Sequence, residues 1–549
     1  MTSNTLPELI TQWAQQTPDK IWLRDLHQDG SDDYSWAQAH QQMSAIGAML
    51  SQRFGAGEKM VVLCRNRAHW VMADLAIISS GNVTVSMFTT LPAATAAYIF
   101  ELTQAKVVFV GETSNWEQII AVLPEDVLLV TLPGVELQQA HVKWEDILVE
   151  YAGQTPEYQC QPDDMISLVF TSGTTGMPKG VIQTHSSNLI PIRRFTNMFG
   201  LAKSPRYFSY LPLSHIAERQ IVEFSSIVLG GEIFFNESMD TLTRDLQRVR
   251  PHVFFGPPRV WEQLQQAIIG KFGGKDALEA ALLQDKAGIG ELVLEGLGLN
   301  EVEYCLTAAA PTPPALIHWW EEFGLTLMEG FGQTEAMGVI LSSREHRRVG
   351  SIGKPIGEVE FKITEQGELA IKADGCTPGY YLEEDKTAEL IRDGWLHTGD
   401  KARVDEDGFI YITGRVKDYF KTIQGKFVAP PPIEGAFAKN PHAEQQCLLG
   451  RGFSKTVMIA VLTAEAQSSP EAEIEASILA TIREINADIE SHARVGAVII
   501  SREPWSIENE VLTPTMKIRR DKVEERFAEL AEKLARSAAE QRELLLHWH

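Results

Sequence analysis

The sequence predicts an α/β protein with a large N-terminal domain of mixed α/β subdomains, a β subdomain that closes it, and a small α+β C-terminal domain. Three observations predict this fold class. Strand-like and helix-like segments alternate over the first 350 residues, short strands separated by turns follow to residue 413, and a compact mixture of both occupies the rest. Alternation of strands with helices is typical of mostly parallel sheets.

The first half of the chain supplies the alternating elements. Residues 8–55 are expected to be helical with one interruption, because apolar residues recur at helical spacing up to a Gly-Ala-Gly turn at 55–57. Strands are then predicted at 59–64, 81–87, 106–111 and 165–170, with helices at 68–80 and 91–102. Further strands are predicted at 206–211, 232–235, 252–255 and 302–306, with helices at 217–229 and 239–249.

The pattern changes near residue 350. Short strands at 359–363, 368–371 and 409–413 predict the β subdomain. Beyond residue 415 we expect strands at 446–449, 457–463 and 497–501 and helices at 470–489 and 521–546. The last helix has one apolar face, formed by Val523, Phe527, Leu530 and Leu534. We therefore divide the chain into a large domain at 1–415 and a small domain at 416–549.

Composition excludes several function classes. The 549 residues are enough for at least two domains, and their formal net charge of −24 argues against a nucleic-acid surface and against electrostatic docking on anionic lipid. The five cysteines form no metal or redox pattern, and no signal peptide or membrane-length apolar run is visible. These features predict a cytoplasmic protein without a transmembrane segment, while weak peripheral contact with a membrane and the oligomeric state stay open.

One ten-residue stretch organises the functional prediction. Residues 171–180 read Thr-Ser-Gly-Thr-Thr-Gly-Met-Pro-Lys-Gly, and such glycines, hydroxyls and lysine suit polyphosphate oxygens. The stretch is not the P-loop, which needs Gly-Lys-Ser/Thr opening a helix. It joins two strand-like runs, 165–170 and 180–184, and only Ser186, Ser187 and Asn188 then offer a helix N-cap. A flexible linker would not place Pro-Lys-Gly between two strands.

This stretch resembles the phosphate loop of the adenylate-forming superfamily, which includes acyl-CoA synthetases, peptide-synthetase adenylation domains and firefly-type luciferases. The resemblance spans about residues 8–525, with residues 271–296 matching weakly and open to interpretation as a lid or a surface excursion. It implies that Thr174 takes part in catalysis and metal binding. It also implies ATP binding by Thr171, Ser172, Gly173, Thr174, Thr175, Gly176 and Lys179.

A second motif follows a short apolar run at 325–328. Residues 330–335 read Gly-Phe-Gly-Gln-Thr-Glu, so a ring between glycines can lie against a purine, and a carboxylate can serve Mg²⁺ together with substrate phosphates. By resemblance Gly330, Phe331 and Gly332 contact adenine, Thr334 contacts the α-phosphate, and Glu335 binds Mg²⁺ and is catalytic. Members of the superfamily usually have tyrosine where this chain has Phe331. Ala309 and Ala310, in a run of small residues after the 302–306 strand, resemble the family's adenine segment.

Further motifs appear in the expected order toward the C-terminus. Asp400 ends a Trp-Leu-His-Thr-Gly-Asp turn, and Arg415 begins an Arg-Val-Lys-Asp segment. A carboxylate can accept two hydrogen bonds from a ribose diol, and the resemblance gives Asp400 and Arg415 this role. It makes Lys417 the hinge of a mobile small domain and Lys517 the catalytic lysine, whose loss typically costs about 10²–10³ in rate.

The substrate class is suggested by two segments. Two segments resemble the corresponding segments of long-chain fatty acyl-CoA synthetases. They are the sequence around His215, Leu-Pro-Leu-Ser-His-Ile-Ala-Glu-Arg, and residues 255–262. The resemblance places His215 in the acyl site, as a catalytic candidate, and Gly425 and Lys426 near the CoA tunnel. It implies a medium- to long-chain fatty acyl-CoA ligase that uses ATP, Mg²⁺ and CoA.

Three alternatives remain at this point. An enzyme for aryl or other acids would keep every motif but change the pocket, and an acyl-AMP ligase would load a carrier protein instead of CoA. A nucleotide-binding protein without catalysis would be expected to lack Lys517 or Glu335, and both are present. Chain-length preference and pathway are not encoded in these motifs.

Overall fold

The protein is described here by a computed structural model, which defines residues 4–171, 177–201, 204–343, 345–506, 509–513 and 517–549. It has the mixed α/β fold that the sequence predicts, with a large N-terminal domain and a smaller C-terminal domain. Within those ranges, the large domain contains two long sheets with a helical layer between them and a smaller antiparallel sheet.

The first 171 residues alternate strands and helices. The elements are α1 (Leu6–Gln16), β1 (Ile21–His27), β2 (Gly30–Ser35), α2 (Trp36–Phe54), β3 (Lys59–Leu63), α3 (Ala68–Ser79), β4 (Val83–Met87), α4 (Ala93–Thr103), β5 (Val107–Val110), α5 (Trp116–Ile120), β6 (Leu128–Thr131), β7 (Val142–Lys143), α6 (Trp144–Glu150) and β8 (Met165–Thr171). The prediction that residues 8–55 are helical with one interruption is confirmed, and the interruption is the β1–β2 hairpin, which the sequence analysis did not identify. Strand β1 has a partner far along the chain, which local periodicity does not reveal.

The middle of the chain continues the pattern. Its elements are β9 (Lys179–Thr184), α7 (His185–Phe199), β10 (Arg206–Ser209), α8 (Ile216–Glu218), a π-helical turn (Arg219–Phe224), α9 (Ser225–Leu229), β11 (Glu232–Phe235), a 3₁₀ turn (Met239–Thr241), α10 (Leu242–Val249), β12 (Val253–Phe255), α11 (Pro258–Lys271), α12 (Lys275–Gln284), α13 (Lys286–Leu297), β13 (Tyr304–Thr307), α14 (Pro314–Glu321), β14 (Leu327–Gln333), β15 (Ala336–Leu341) and β16 (Lys354–Pro355). Helix α7 begins earlier than predicted, because Thr184 is its N-cap and exchanges hydrogen bonds with Ser187.

The remaining elements form the β subdomain and the C-terminal domain. They are β17 (Glu360–Ile363), β18 (Glu368–Lys372), α15 (Glu384–Leu390), β19 (Ile391–Arg392), β20 (Trp395–Val404), β21 (Ile410–Arg415), β22 (Phe420–Lys421), β23 (Phe427–Val428), α16 (Pro430–Phe437), β24 (Ala443–Leu449), β25 (Thr456–Leu462), a 3₁₀ turn (Ala466–Ser468), α17 (Glu471–Asp488), β26 (Val495–Ser501), α18 (Arg520–Gln541) and β27 (Leu545–Trp548). The last helix is shorter than predicted. It ends at Arg542 in the left-handed region, and β27 then pairs in parallel with β26.

Two sheets build most of the large domain. One has the strand order β7-β6-β5-β3-β4-β8-β9, with only the β8–β9 pair antiparallel among the described strands. The other has the order β16-β15-β14-β13-β12-β10-β11-β1-β2 and is parallel from β14 to β1. One buried apolar cluster joins the sheets through α2 and α3, for example Val62, Ile46, Ala76 and Ile233. This shared core fixes the ends of both sheets relative to one another.

The smaller sheets complete the two domains. Strands β17, β18, β20, β19 and β21 form an antiparallel sheet, which matches the predicted β subdomain. In the C-terminal domain, β24-β25-β26-β27 form a mixed sheet covered by α16, α17 and α18. The predicted apolar face of α18 packs on this sheet, with Val523 and Phe527 buried and Leu530 and Leu534 partly buried.

Candidate active site

The predicted phosphate loop connects two antiparallel strands, as the sequence indicates. Thr171 at the end of β8 pairs with Lys179 at the start of β9. The predicted ligands Ser172, Gly173, Thr174, Thr175 and Gly176 lie outside the described residues. The Lys179 ammonium lies 4.5 Å from the centre of the Tyr380 ring. Partial burial, followed by the positive charges of Lys417 and Lys386, lowers the pKa of Lys179.

The Gly-Phe-Gly-Gln-Thr-Glu motif lies at the end of β14, beside that hairpin. Gly330 and Gly332 allow the close β14–β15 approach, since an added Cβ would come within 2.3 Å of Leu341 and 2.7 Å of Met337 respectively. The Tyr380 hydroxyl donates a 2.7 Å hydrogen bond to Oε1 of Glu335.

Tyr380 therefore contacts both Lys179 and Glu335 and sets their relative position. No role was predicted for Tyr380, because it lies 45 positions from Glu335 in the chain. Its only local signal is an aromatic pair after Pro378 and Gly379.

The predicted adenine segment has unusual backbone geometry. Ala309 has φ +73°, a left-handed conformation that alanine rarely adopts. It lies two residues after the end of β13, and both Ala309 and Ala310 are exposed and line the cleft that Phe331 also lines. Strained backbone clusters at ligand sites, and here it occurs in small residues that line the same cleft as Phe331.

The predicted ribose pair is formed between neighbouring strands. Asp400 on β20 lies opposite Arg415 on β21, and Nε of Arg415 is 3.3 Å from Oδ1 of Asp400. Gln333 donates a 2.6 Å hydrogen bond to the other carboxylate oxygen. Burial raises the pKa of Asp400, while the Arg415 guanidinium opposes that shift. Directly after Arg415, the Val416 N–H donates to the Gly399 carbonyl, and Lys417 then lines the cleft.

Lys517 reaches this cleft from the C-terminal domain. Its backbone exchanges two hydrogen bonds with Thr513, which hold Lys517 next to that residue. Desolvation, followed by the charge of Arg415, lowers the pKa of Lys517, whereas Asp400 and Glu335 act in the opposite direction. The lysine therefore lies within electrostatic range of the predicted ribose ligand Asp400 and the predicted Mg²⁺ ligand Glu335, and the residue as a whole is exposed to solvent.

His215 lies on the opposite wall of the same cleft. Its Nδ1 accepts a 3.2 Å hydrogen bond from the Ala217 N–H at the start of α8. Desolvation, followed by the charge of Lys517, lowers the pKa of His215 to about 4. The imidazole is therefore neutral at physiological pH and is suited to lining an acyl or carboxyl group rather than to supplying positive charge.

The loop before His215 is organised by Asn66, a residue that the sequence did not single out. Its amide donates to the Ser209 hydroxyl and the Leu211 carbonyl at 2.9 and 2.6 Å, and its oxygen accepts from the Leu213 N–H at 2.9 Å. These partners are about 145 positions away in the chain, so no local pattern could reveal the contact.

A buried charge cluster lies behind this wall. Arg219, in the π-helical turn, pairs with Asp74 and Glu223 and donates to the Ser167 hydroxyl at 2.7 Å, and the charged side chains are wholly buried. Desolvation, followed by repulsion from Asp74, raises the pKa of Glu223 well above its ordinary value. Neighbouring Glu218 is also buried, and desolvation raises its pKa to about 8.

Most predicted site residues line one continuous cleft between the domains. They are Thr171, Lys179, His215, Ala309, Ala310, Gly330, Phe331, Gly332, Thr334, Glu335, Asp400, Arg415, Lys417 and Lys517. Gly425 and Lys426 lie instead on the exposed β22–β23 turn and are not among the cleft-lining residues. The CoA role of these two residues stays a prediction.

The arrangement of acidic side chains favours a metal ion that is bound jointly by one protein carboxylate and by the phosphates of a ligand. Across the described ranges, no cluster of three or more His, Cys, Asp or Glu side chains forms a metal site. Of the acids that line the cleft, Glu335 is the one whose charge acts on both Lys179 and Lys517, and it can offer one carboxylate to a metal ion. This donor set fits Mg²⁺, which commonly takes one protein carboxylate together with phosphate oxygens and waters.

In the parts of the chain that the structure covers, no helix has the length and apolar character required for a membrane span.

Family comparisons agree with this geometry. The AMP-binding enzyme family matches residues 10–381, and the AMP-binding enzyme C-terminal domain matches residues 417–538. The chain is 27% identical to fatty acyl-CoA synthetase A of Dictyostelium discoideum, over 94% of this chain and 88% of the relative. It is also 27% identical to long-chain-fatty-acid–CoA ligase FadD15 of Mycobacterium tuberculosis, over 95% of both chains.

Solved structures show the same fold. An anthranilate CoA ligase in complex with anthranoyl-AMP matches with a TM-score of 0.79 at 22% identity, over 97% of this chain and 98% of that chain. The A-PCP didomain of a carboxylic acid reductase from Segniliparus rugosus, in complex with AMP, matches with a TM-score of 0.79 at 22% identity, over 99% of this chain and 83% of that chain.

Proposed function

Since the chain belongs to the AMP-binding enzyme family, we propose that it is an ATP-dependent acyl-CoA synthetase for medium- to long-chain fatty acids. One observation carries the proposal. Lys517 of the C-terminal domain lies in the same cleft as Lys179, Glu335, Asp400 and Arg415 of the large domain. This arrangement suits a carboxylic acid that reacts with the α-phosphate of ATP.

The first half-reaction forms an acyl-adenylate. A carboxylate oxygen of the fatty acid attacks the α-phosphorus of ATP, an O–P bond forms, and the bond to pyrophosphate breaks. Lys517 and Lys179 offset the negative charge on the phosphates. Asp400 and Arg415 hold the ribose hydroxyls, Thr334 contacts the α-phosphate, and Phe331 packs on adenine with Ala309 and Ala310 beside it, as the resemblance implies.

Glu335 is the residue that would hold Mg²⁺, with Tyr380 fixing its carboxylate by the 2.7 Å hydrogen bond. The ion would neutralise phosphate charge in the attack. Thr174 of the phosphate loop is the second proposed metal contact, and Ser172, Gly173, Thr175 and Gly176 are proposed to hold the polyphosphate with Thr171 and Lys179.

The second half-reaction forms the thioester. The CoA sulfur attacks the acyl carbonyl carbon, a C–S bond forms, the bond to AMP breaks, and the thiol proton passes to solvent. We propose that the small domain, 416–549, swings about Lys417 relative to 1–415, so that Lys517 leaves and Gly425 and Lys426 approach the cleft. Neutral His215 lines the acyl site in both steps.

Three observations support a fatty acyl substrate. The cleft wall near His215 is apolar, with Ile192, Phe195 and Ile221 among its residues. Relatives that match nearly the full chain are named as fatty acyl-CoA synthetases and long-chain ligases. The charged group that acts on the His215 imidazole is the cation Lys517, which suits the carboxylate of a bound acid. A cytoplasmic location with weak peripheral contact with membranes fits such a substrate.

The test is pyrophosphate release with acids from short to long chain length and with benzoate, each with and without CoA. We expect CoA-dependent turnover with a maximum at medium or long chains. Lys517→Ala should abolish most of it, whereas Lys522→Ala, in the first turn of α18 and outside the cleft lining, should not.

Other outcomes identify other functions. A maximum with benzoate would indicate an aryl-acid ligase, and adenylate formation without thioester would indicate loading of a carrier protein. ATP binding without turnover of any acid would refute the proposal.

A further inference from the structure

Three buried side-chain amides form a continuous chain inside the large domain. Gln183 lies on β9, Asn188 on α7 and Gln220 on the π-helical turn, with exposed fractions of 2%, 0% and 5%. Gln220 donates to Oδ1 of Asn188 at 2.9 Å, and Asn188 donates to Oε1 of Gln183 at 3.3 Å. Gln183 in turn donates to the backbone carbonyl of Thr334 at 2.8 Å. Each amide thus donates to the next in one direction.

The two ends of this amide chain lie at different parts of the cleft. The Thr334 carbonyl belongs to the turn that carries Glu335, on the nucleotide side. At the other end, Gln220 lines the cleft next to Ile221, five residues after His215. The amide chain is therefore a direct hydrogen-bonded path between the proposed acyl wall and the proposed α-phosphate contact.

The backbone around Gln220 is firmly held. Arg219, the preceding residue, is anchored by Asp74, Glu223 and Ser167. The Gln220 carbonyl accepts a 2.6 Å hydrogen bond from the Ser225 hydroxyl. Because these contacts fix the main chain, a group that displaces the Gln220 side chain moves its amide rather than the helix. π-Helical turns occur frequently at functional sites.

Stability alone would explain why these buried amides are hydrogen-bonded, since a buried polar group without a partner destabilises the fold. A purely stabilising role does not explain why the amide chain begins at the cleft wall and ends on the turn that carries Thr334. Hydrogen bonds in series also polarise one another in a low-dielectric interior, so a change at one end reaches the other.

We propose that Gln183, Asn188 and Gln220 are positioning residues that couple acyl binding to nucleotide binding. An acid that packs against Gln220 shifts the amide chain and orders the Thr334–Glu335 turn for ATP. This inference rests on the proposed function, since it assumes that an acid binds beside His215. Coupling of this kind is reciprocal, so ATP must tighten acid binding by the same factor.

The experiment measures binding without turnover. Adenosine 5′-(α,β-methylene)triphosphate with MgCl₂ is titrated by calorimetry into the full-length protein, with and without palmitate. In the wild type we expect palmitate to tighten binding of the analogue by about fivefold or more, within the usual range of coupling between sites. In Gln183→Met and Gln220→Met, which keep side-chain volume but remove the hydrogen bonds, that factor should fall to within about twofold of one.

A matched control separates coupling from stability. Gln42→Met removes a similar amide on α2, where its oxygen accepts from the Trp144 indole at 2.8 Å away from the cleft. This variant should keep the wild-type coupling factor. The double variant Gln183→Met/Gln220→Met should lose no more coupling than either single variant, because both interrupt the same path.

The possible outcomes distinguish failure of the coupling inference from failure of the proposed function. Wild-type coupling retained in Gln220→Met would overturn the inference, as would the absence of coupling in a wild type that still makes palmitoyl-CoA. If Gln183→Met does not fold, as judged by its thermal melt, Gln220→Met decides alone, since that side chain lies at the cleft wall. Failure of the wild type to make any acyl-CoA would instead refute the proposed function.

Discussion

Replacing Glu218 with glutamine tests whether a buried carboxyl beside the acyl wall is protonated in the folded protein. Glu218 is 1% exposed, and its Oε1 accepts a 3.1 Å hydrogen bond from the Tyr210 N–H. Ser209 supplies a side-chain hydrogen bond. Desolvation outweighs both contacts and raises the pKa of Glu218 from 4.5 to about 8.

The sign of the pH effect follows from proton linkage. The folded state keeps the Glu218 proton up to about pH 8, whereas the unfolded chain releases it above about pH 4.5. Folding of the wild type therefore becomes less favourable as pH rises through this window. Glutamine mimics the protonated carboxyl and does not titrate, so the variant should gain stability relative to the wild type with rising pH.

The size of the effect follows from the same window. Between pH 5 and pH 8 the difference in unfolding free energy should grow by about 3–4 kcal/mol, at about 1.4 kcal/mol per pH unit. Other titrating groups are common to both proteins and cancel in the difference. The assay is thermal and denaturant unfolding of both proteins at pH 5, 6, 7, 8 and 9.

A constant difference across that series would refute the reasoning, because it would mean that Glu218 is ionised alike in the folded and unfolded states. A difference that grows with falling pH would contradict the sign. A plateau above about pH 8 would support both the direction and the upper limit of the window.

Three substitutions test the cleft. Lys517→Ala should lower acyl-adenylate formation by about 10²–10³ but affect thioester formation from preformed adenylate far less, as followed by separate single-turnover assays; equal losses in both would contradict its role. Asp400→Asn weakens the contact with Arg415 and should raise KM for ATP about tenfold, since hydrogen bonds to charged groups contribute about 1.5–3 kcal/mol; an unchanged KM would argue against ribose binding. Tyr380→Phe removes the hydrogen bond to Glu335 and should raise the Mg²⁺ concentration for half-maximal rate severalfold, a shift that a Mg²⁺ titration at saturating ATP either shows or excludes.

Much of the site could be predicted because its residues lie in local motifs at strand ends. The run before residue 171 and the run after residue 179 form a strand pair, as their apolar patterns indicate. Asp400 and Arg415 are 15 positions apart but directly opposite in the β20–β21 pair. The motifs and their order along the chain were enough to predict that these residues and Lys517 belong to one site.

The features that the sequence did not reveal depend on distant partners. The interruption in the predicted helical region 8–55 was not recognised as the β1–β2 hairpin, because β1 completes its pairing with β11, about 210 residues later. Asn66 and Tyr380 act through contacts with distant segments. The end of α18 was missed because β27, which follows it, is short and gains its stability from β26.

The cluster of Arg219, Asp74, Glu223 and Ser167 has a consequence for how the large domain unfolds. Ser167 lies on β8 of the first sheet, Asp74 on α3 between the sheets, and Arg219 on a turn that packs beside β10 of the second. A partly unfolded form that keeps only one sheet would leave a charge without its partner in a dry interior, at a typical cost of about 3–5 kcal/mol. Intermediates with one sheet formed are therefore disfavoured, and the two sheets behave as a single cooperative unit when the chain folds or is degraded.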